Sequence, residues 1–345
     1  MPLENRYDLQ QLLLVRMDIP QWHTIWQRNF TRVIPFLDFC QISPSDRLQI
    51  LSSSPFPINV PERIAKKIEK GSIDDPLFRQ FAPLMAEETA TAGFDADPLH
   101  ETTAHCTENI LCKYHGRALI ITTRACGMHC RFCFRRHYPY CQGPSDFHDE
   151  LSWLHDHHEI DEVVLSGGDP LAQPTSHLER LLSALGKISH IKRIRLHTRF
   201  PIGIPERIDD ELLSSLQKIP QQLLVVLHVN HPKELDDEVI VSLSRLRRLG
   251  IPLLSQTVLL RGVNDRVEIL ESLFSTLGNA GIIPYYLHQL DRVLGAAHYE
   301  VPVQKGLALV EALRGRMSGY LVPQYVQEVA GRPCKMAVST AITLS

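Results

Sequence analysis

The sequence has no apolar run long enough to cross a bilayer, and Met1–Gln11 has neither the basic stretch nor the apolar core of a secretory leader. It has no excess of charge of either sign, since 36 Lys and Arg against 39 Asp and Glu leave a net charge of −3. A chain so balanced has no general attraction for nucleic acid or for an anionic membrane. Its short basic cluster, Arg245, Arg247 and Arg248, has the spacing of a solvated helix face. There is no disulfide framework either, because eight cysteines in 345 residues are too sparse for a stapled scaffold. Together these absences predict a cytoplasmic protein in a reducing setting. What is present is ordinary globular composition, 44% hydrophobic and 22% charged, with length enough for an α/β barrel.

Residues 1–105 show no strand–helix rhythm. Helical apolar spacing recurs over Leu9–Met17, Gln21–Phe36, Pro44–Leu51 and Val60–Gly71, and Ala86–His105 reads as a polar connecting loop. From Ala118 short β-branched runs return at roughly 30-residue intervals, which is a βαβ pattern. It predicts strands over Ala118–Thr123, Glu162–Ser166, Arg193–Thr198, Leu223–Val229, Leu253–Leu259 and Pro284–Leu287. The intervening helices fall over Phe147–His157, Thr175–Ile188, Pro205–Ile219, Lys233–Leu249 and Arg266–Ala280, with another at Val303–Met317. Gly250 and Gly281 stand where helices should end. Three regions follow: a helical N-terminal part with its loop (1–105), six βα units (106–300) and a short C-terminal segment (301–345).

The most specific stretch is Cys126-Gly-Met-His-Cys130-Arg-Phe-Cys133, on the loop after the first of these strands. Three thiolates there can hold three corners of an iron–sulfur cubane, leaving one iron open to bind and reduce a ligand. The alternative is a closed structural zinc site completed by Cys141 or a histidine. Cys40, Cys106, Cys112 and Cys141 have no ligand spacing of their own and read as incidental thiols. After the second strand comes Ser166-Gly-Gly-Asp-Pro170, whose glycines permit close backbone approach and whose Asp169 can accept from an ammonium.

The C-x3-C-x2-C spacing, with Phe132 before the last cysteine, resembles the radical S-adenosylmethionine (radical SAM) enzymes. That resemblance implies a partial (β/α)6 barrel, with the cysteines on a 4Fe–4S cluster and Gly167, Gly168 and Asp169 on the methionyl amino group. The longer motif Cys133-Phe-Arg135-Arg136 resembles the lysine 2,3-aminomutases more narrowly and implies that Arg135 grips the substrate carboxylate. Those enzymes also use pyridoxal 5′-phosphate. The segment Ala330-Gly-Arg-Pro-Cys-Lys335 is similar to the family's stretch ending in the lysine that carries it, although only Gly331 remains of the usual run of glycines. Lys113, Tyr114 and Arg117 match the residues for its phosphate, Asp291 and Glu328 the carboxylates that hold the ammonium of the lysine substrate, and Gln256, His228 and Asn230 the lining toward S-adenosylmethionine.

Read this way, the chain is an isomerase that turns L-lysine into β-lysine, expected to be the R form. The stretches Cys133–Tyr140 and Leu287–His298 resemble the short bacterial members associated with modification of elongation factor P. The partners implied are lysine, elongation factor P with its lysyl ligase, and a reductant such as flavodoxin or ferredoxin; oligomer formation is left open. The competing readings are a catabolic aminomutase for free lysine or another amino acid, and a zinc-stabilised binding protein without turnover.

Overall fold

A computed structural model describes residues 21–140 and 146–339, so the helix expected over Leu9–Met17 and the thiol of Cys141 lie outside the described residues. One nine-stranded sheet carries the site, its strands in chain order: β1 (Ile110–Tyr114), β2 (Arg117–Thr123), β3 (Glu162–Gly167), β4 (Arg193–Thr198), β5 (Gln222–His228), β6 (Leu253–Val258), β7 (Ile283–His288), β8 (Gln324–Gln327) and β9 (Met336–Ala337). From β2 to β8 every pairing is parallel, and β1 and β9 close the two edges antiparallel. Strands in sequence order and all parallel require a crossover each time, which the helices supply.

The helices preceding the sheet are α1 (Gln21–Trp26), α2 (Val33–Phe39), α3 (Glu62–Lys67) and α4 (Pro76–Phe81). The crossovers are α5 (His148–Asp156), α6 (Thr175–Gly186), α7 (Phe200–Gly203) with α8 (Asp210–Gln217), α9 (Asp237–Arg248), α10 (Val267–Asn279) and α11 (Val303–Arg314). Their apolar faces explain the packing: α6 buries Leu178, Leu181, Leu182 and Leu185, one stripe at helical spacing. Asp209 and Asp236 accept from the backbone of Leu212 and Val239, so α8 and α9 begin at aspartate caps. This splits the helices expected over Pro205–Ile219 and Lys233–Leu249 into a short turn and a helix. Gly250 and Gly281 have φ of 76° and 73°, the left-handed geometry that ends α9 and α10.

The six expected strands are all present, within a residue or so of their expected ends. The structure adds β1 and β8, short strands whose polar residues weaken their periodicity, and β9, whose two residues are too few to show any. The Gln21–Phe36 stretch forms two helices, α1 and the start of α2, and Pro44–Leu51 forms only one 3-10 turn, Asp46–Gln49. Cys106 and Cys112 are not incidental thiols: they are joined as a disulfide. The hairpin leading into β1 brings them together, where the Cys106 N–H donates to Ile110 O and the Cys112 N–H to Ala104 O, at 2.8 and 2.9 Å. Among the described residues no helix is long and apolar enough to cross a membrane.

Candidate active site

Parallel strands direct their C-terminal ends, and the loops after them, to one mouth. There a cavity of about 360 Å³ gathers Cys126, Cys130 and Cys133 with Lys113, Arg135, Asp291, Glu328 and Lys335. Tyr114, Arg117, Gly167, Gly168, Asp169, His228 and Gln256 line the same cavity. Asn230, expected there too, does not line it. It is fully buried, with its Nδ2 donating to Gln80 Oε1 at 3.0 Å and its Oδ1 accepting from the Val258 N–H at 2.9 Å. The β5–β6 loops need that bracket because a buried amide must be satisfied.

The cysteine loop is held from outside by the N-terminal region. Asn59 Nδ2 donates to Cys126 O at 2.8 Å, Asn29 Nδ2 to Gly127 O at 2.8 Å, and the His129 N–H to Asn59 O at 2.9 Å. Arg131 is wholly buried and forks onto Glu87 at 2.8 and 2.5 Å, while Arg136 reaches the same Glu87 at 2.6 Å. Arg136 is therefore a brace beneath the loop, and only Arg135 of the arginine pair lines the cavity. Burial pushes all three thiols up, Cys133 to about 11. Arg199 opposes this at Cys130, with its Nη1 2.7 Å from the sulfur. Among the described residues no three His, Cys, Asp or Glu are gathered as for a single metal ion. A cubane spreads its thiolates wider than one tetrahedral ion does.

Gly167, the last residue of β3, and Gly168 after it both line the cavity and also permit a close approach within the backbone. A Cβ on Gly168 would lie 2.2 Å from Ala125 O, and Gly167 has φ of 113° with Thr123 O 2.8 Å from its Cβ position. They let the exit of β3 press against the exit of β2, the root of the cysteine loop. Asp169 is occupied rather than free for an ammonium. Its carboxylate accepts from the N–H groups of Leu171, Arg199 and Phe200 and from Thr198 Oγ1, all within 3.0 Å. Burial still raises it to about 6.

At the closing edge, the β8–β9 register pairs Val326 with Ala337 and Gln327 with Met336. The next pair out is Glu328 against Lys335. Lys335 Nζ meets one oxygen of Glu328, and Lys113 Nζ, from β1 at the other edge, meets the second. Burial resists ionisation of Glu328, but the two lysines overcome it and hold the carboxyl at about 2. Asp291 behaves oppositely: its Oδ1 has no partner, and burial with Glu328 beside it raises it to about 7. Arg117 stacks on Tyr114, 5.4 Å from guanidinium carbon to ring centre. Burial and the Glu328 carboxylate raise the Tyr114 phenol.

Arg135 is also engaged, through Glu101, which the sequence reading left inside a polar loop. Nε and Nη2 of Arg135 donate to Glu101 at 2.6 and 3.0 Å, and Nη1 donates to Ser166 Oγ and Gly167 O at 3.1 and 3.3 Å. His197 on β4 and His288 on β7 were missed as well. Both line the cavity with an unpartnered Nε2, and burial keeps them neutral. Nothing local marks these residues; only their alternation along strands, facing the lumen with Arg195 and Tyr286, could have signalled them.

A family model of the radical SAM superfamily matches residues 120–273. The L-lysine 2,3-aminomutases of Escherichia coli (strain K12) and Haemophilus influenzae are each 41% identical to the chain over 283 residues. The match spans 81% of this chain and 82% and 84% of theirs. The L-lysine 2,3-aminomutase of Clostridium subterminale is 34% identical over 81% of this chain and 68% of its own. Among solved structures, Streptococcus suis SuiB bound to S-adenosylmethionine aligns over 64% of this chain and 52% of that one, with a TM-score of 0.47 and 16% identity.

Proposed function

The chain belongs to the lysine 2,3-aminomutase family of the radical SAM superfamily, and from that premise we propose that it converts L-lysine to (R)-β-lysine for modification of elongation factor P. The family makes it an enzyme of the isomerase class that works with a 4Fe–4S cluster, S-adenosylmethionine and pyridoxal phosphate. The residues present fit these groups. Three thiols share one loop at the cavity rim, Lys335 presents an amine, Lys113 and Arg117 supply cations for a phosphate, and unpartnered polar atoms of His197, His288 and Asp291 lie at the same cavity. When bound, the cluster with S-adenosylmethionine supplies a carbon radical that takes a hydrogen atom, and pyridoxal phosphate supplies the carbon that carries a migrating amino group.

The observation that carries the reading is the placement of Glu328. In this structure both its oxygens are neutralised by lysines. If Lys335 is committed to the cofactor and Lys113 to its phosphate, Glu328 becomes a buried carboxylate without a cation. That is costly, and the ammonium of a lysine side chain relieves it. Asp291, lining the same cavity, is the second carboxylate for that ammonium, and Arg135 meets the α-carboxylate at the other end. Two carboxylates and one arginine in one cavity suit an amino acid with a cationic side chain. Gln256 and His228 face the region toward the cysteines, and Phe132, Phe134 and Met128 at that rim keep water from the reacting carbon.

The test is an anaerobic assay of reconstituted protein with reductant, S-adenosylmethionine, pyridoxal phosphate and L-lysine, read by chiral chromatography. (R)-β-lysine from the wild type and none from Lys335→Ala supports the reading. Equal rates from both proteins remove Lys335 from its role, and no product despite an intact cluster rejects free lysine and turns the assay to elongation factor P itself.

A further inference from the structure

We infer that Glu101 is the positioning residue of the substrate-carboxylate clamp, selecting which edge of Arg135 faces the cavity; this rests on the reading of Arg135 given above. Glu101 is 3% exposed and lies on a 3-10 turn, Glu101–Thr103, in the segment that bridges the exit of β7 and the start of β1. At one end of the segment the Asp95 N–H donates to Arg292 O and the Leu294 N–H to Asp95 O, each at 2.9 Å. At the other end the Cys112 N–H donates to Ala104 O at 2.9 Å. Asp97 fixes the turn by accepting from the Glu101 N–H at 2.9 Å and from the N–H and hydroxyl of Thr102 at 3.0 and 2.6 Å. The carboxylate is thus delivered into the cavity by a pinned backbone.

A guanidinium has five N–H donors in a rigid plane. Glu101 takes the side-on pair, one on Nε and one on Nη2, at 2.6 and 3.0 Å. Ser166 Oγ and Gly167 O both accept from Nη1. What remains is the second N–H of Nη2, at the end of the guanidinium away from Nε, which can donate to a carboxylate. Glu101 also lies 3.8 Å from Lys113, which pairs with Glu328, which pairs with Lys335. An unbroken chain of alternating charge therefore runs from the carboxylate clamp to the cofactor lysine. A glutamine at position 101 places an N–H donor against those of Arg135, breaks the fork and lets the guanidinium turn.

The experiment titrates L-lysine into protein loaded with pyridoxal phosphate but without S-adenosylmethionine, following the cofactor absorbance, so binding is read without turnover. Glu101→Gln is expected to raise the half-saturating lysine at least tenfold, with iron and pyridoxal content unchanged. Glu101→Asp, which keeps the charge but shortens the reach, should fall between and serves if the glutamine variant does not fold. In a double-mutant cycle Arg135→Lys with Glu101→Gln should be no worse than Arg135→Lys alone within twofold, because a lysine has no edge to orient. Unchanged or tighter binding by Glu101→Gln, losses that multiply in the double variant, or a parallel loss of pyridoxal content would overturn the inference. If the wild type responds to another α-amino acid but not to lysine, the substrate reading fails, and the same cycle run with that amino acid decides Glu101. No response to any α-amino acid overturns both.

Discussion

Asp291 should make lysine binding depend on pH in a way the rest of the site does not. Its carboxyl is held at about 7 instead of 3.8, first by burial and then by Glu328. At 1.36 kcal/mol per pH unit, that is roughly 4 kcal/mol against ionisation in the empty site. The groups facing it are Glu328 just after β8 and Glu101 from the bridging segment, which push it up, and Lys335 just before β9 and Lys113 from β1, which pull it down. In the empty site Lys335 and Lys113 hold Glu328 at about 2, so there it is ionised. A lysine ammonium needs Asp291 ionised, so below pH 7 its binding must expel a proton. The sign follows: affinity rises with pH up to about 7 and is flat above it. For one proton, the half-saturating lysine at pH 6 should be about tenfold that at pH 8. The assay is the absorbance titration of the cofactor-loaded protein from pH 5.5 to 8.5, with calorimetry in two buffers counting the released proton. Asp291→Asn should give a flat profile and binding weaker by roughly ten- to a hundredfold, the worth of a charged hydrogen bond. A flat wild-type profile, or a slope that survives in Asp291→Asn, would refute the assignment.

Two further outcomes test how the cysteine loop is held. Gly168→Ala must move backbone, since its Cβ would lie 2.2 Å from Ala125 O. A loss of about 3 kcal/mol in thermal or denaturant unfolding is expected, together with poorer iron retention; wild-type values for both would contradict the close approach. Glu87→Gln breaks the buried brace of Arg131 and Arg136. It should cost about 3–5 kcal/mol and release iron faster to a chelator, while pyridoxal absorbance stays normal; loss of pyridoxal with iron retained would point to a different role.

Much of the architecture was determined by the sequence alone, because the signals are local. A β-branched run followed by an amphipathic stretch repeats along the chain, and a parallel sheet with helical crossovers is what such a repeat can build. The Cys126–Cys133 spacing is likewise local, whereas Arg135, Asp291, Glu328 and Lys335 were singled out by resemblance to the lysine 2,3-aminomutases; the structure brings all of them to one cavity. The partners of those residues were decided only by the tertiary structure. Glu101 meets Arg135 across 34 residues, Glu87 meets Arg131 across 44, and Glu328 meets Lys113 across 215. No local pattern encodes such pairs, and burial is what gives them weight, since a desolvated charge must find its counter-ion wherever the fold puts one. Direction was equally hidden. Asn230 and Asp169 have the right chemistry at the right strand ends, yet backbone donors and buried amides claim their side chains. The sequence determined which elements form and in what order; only packing decided which way each polar group faces and whether it is already taken.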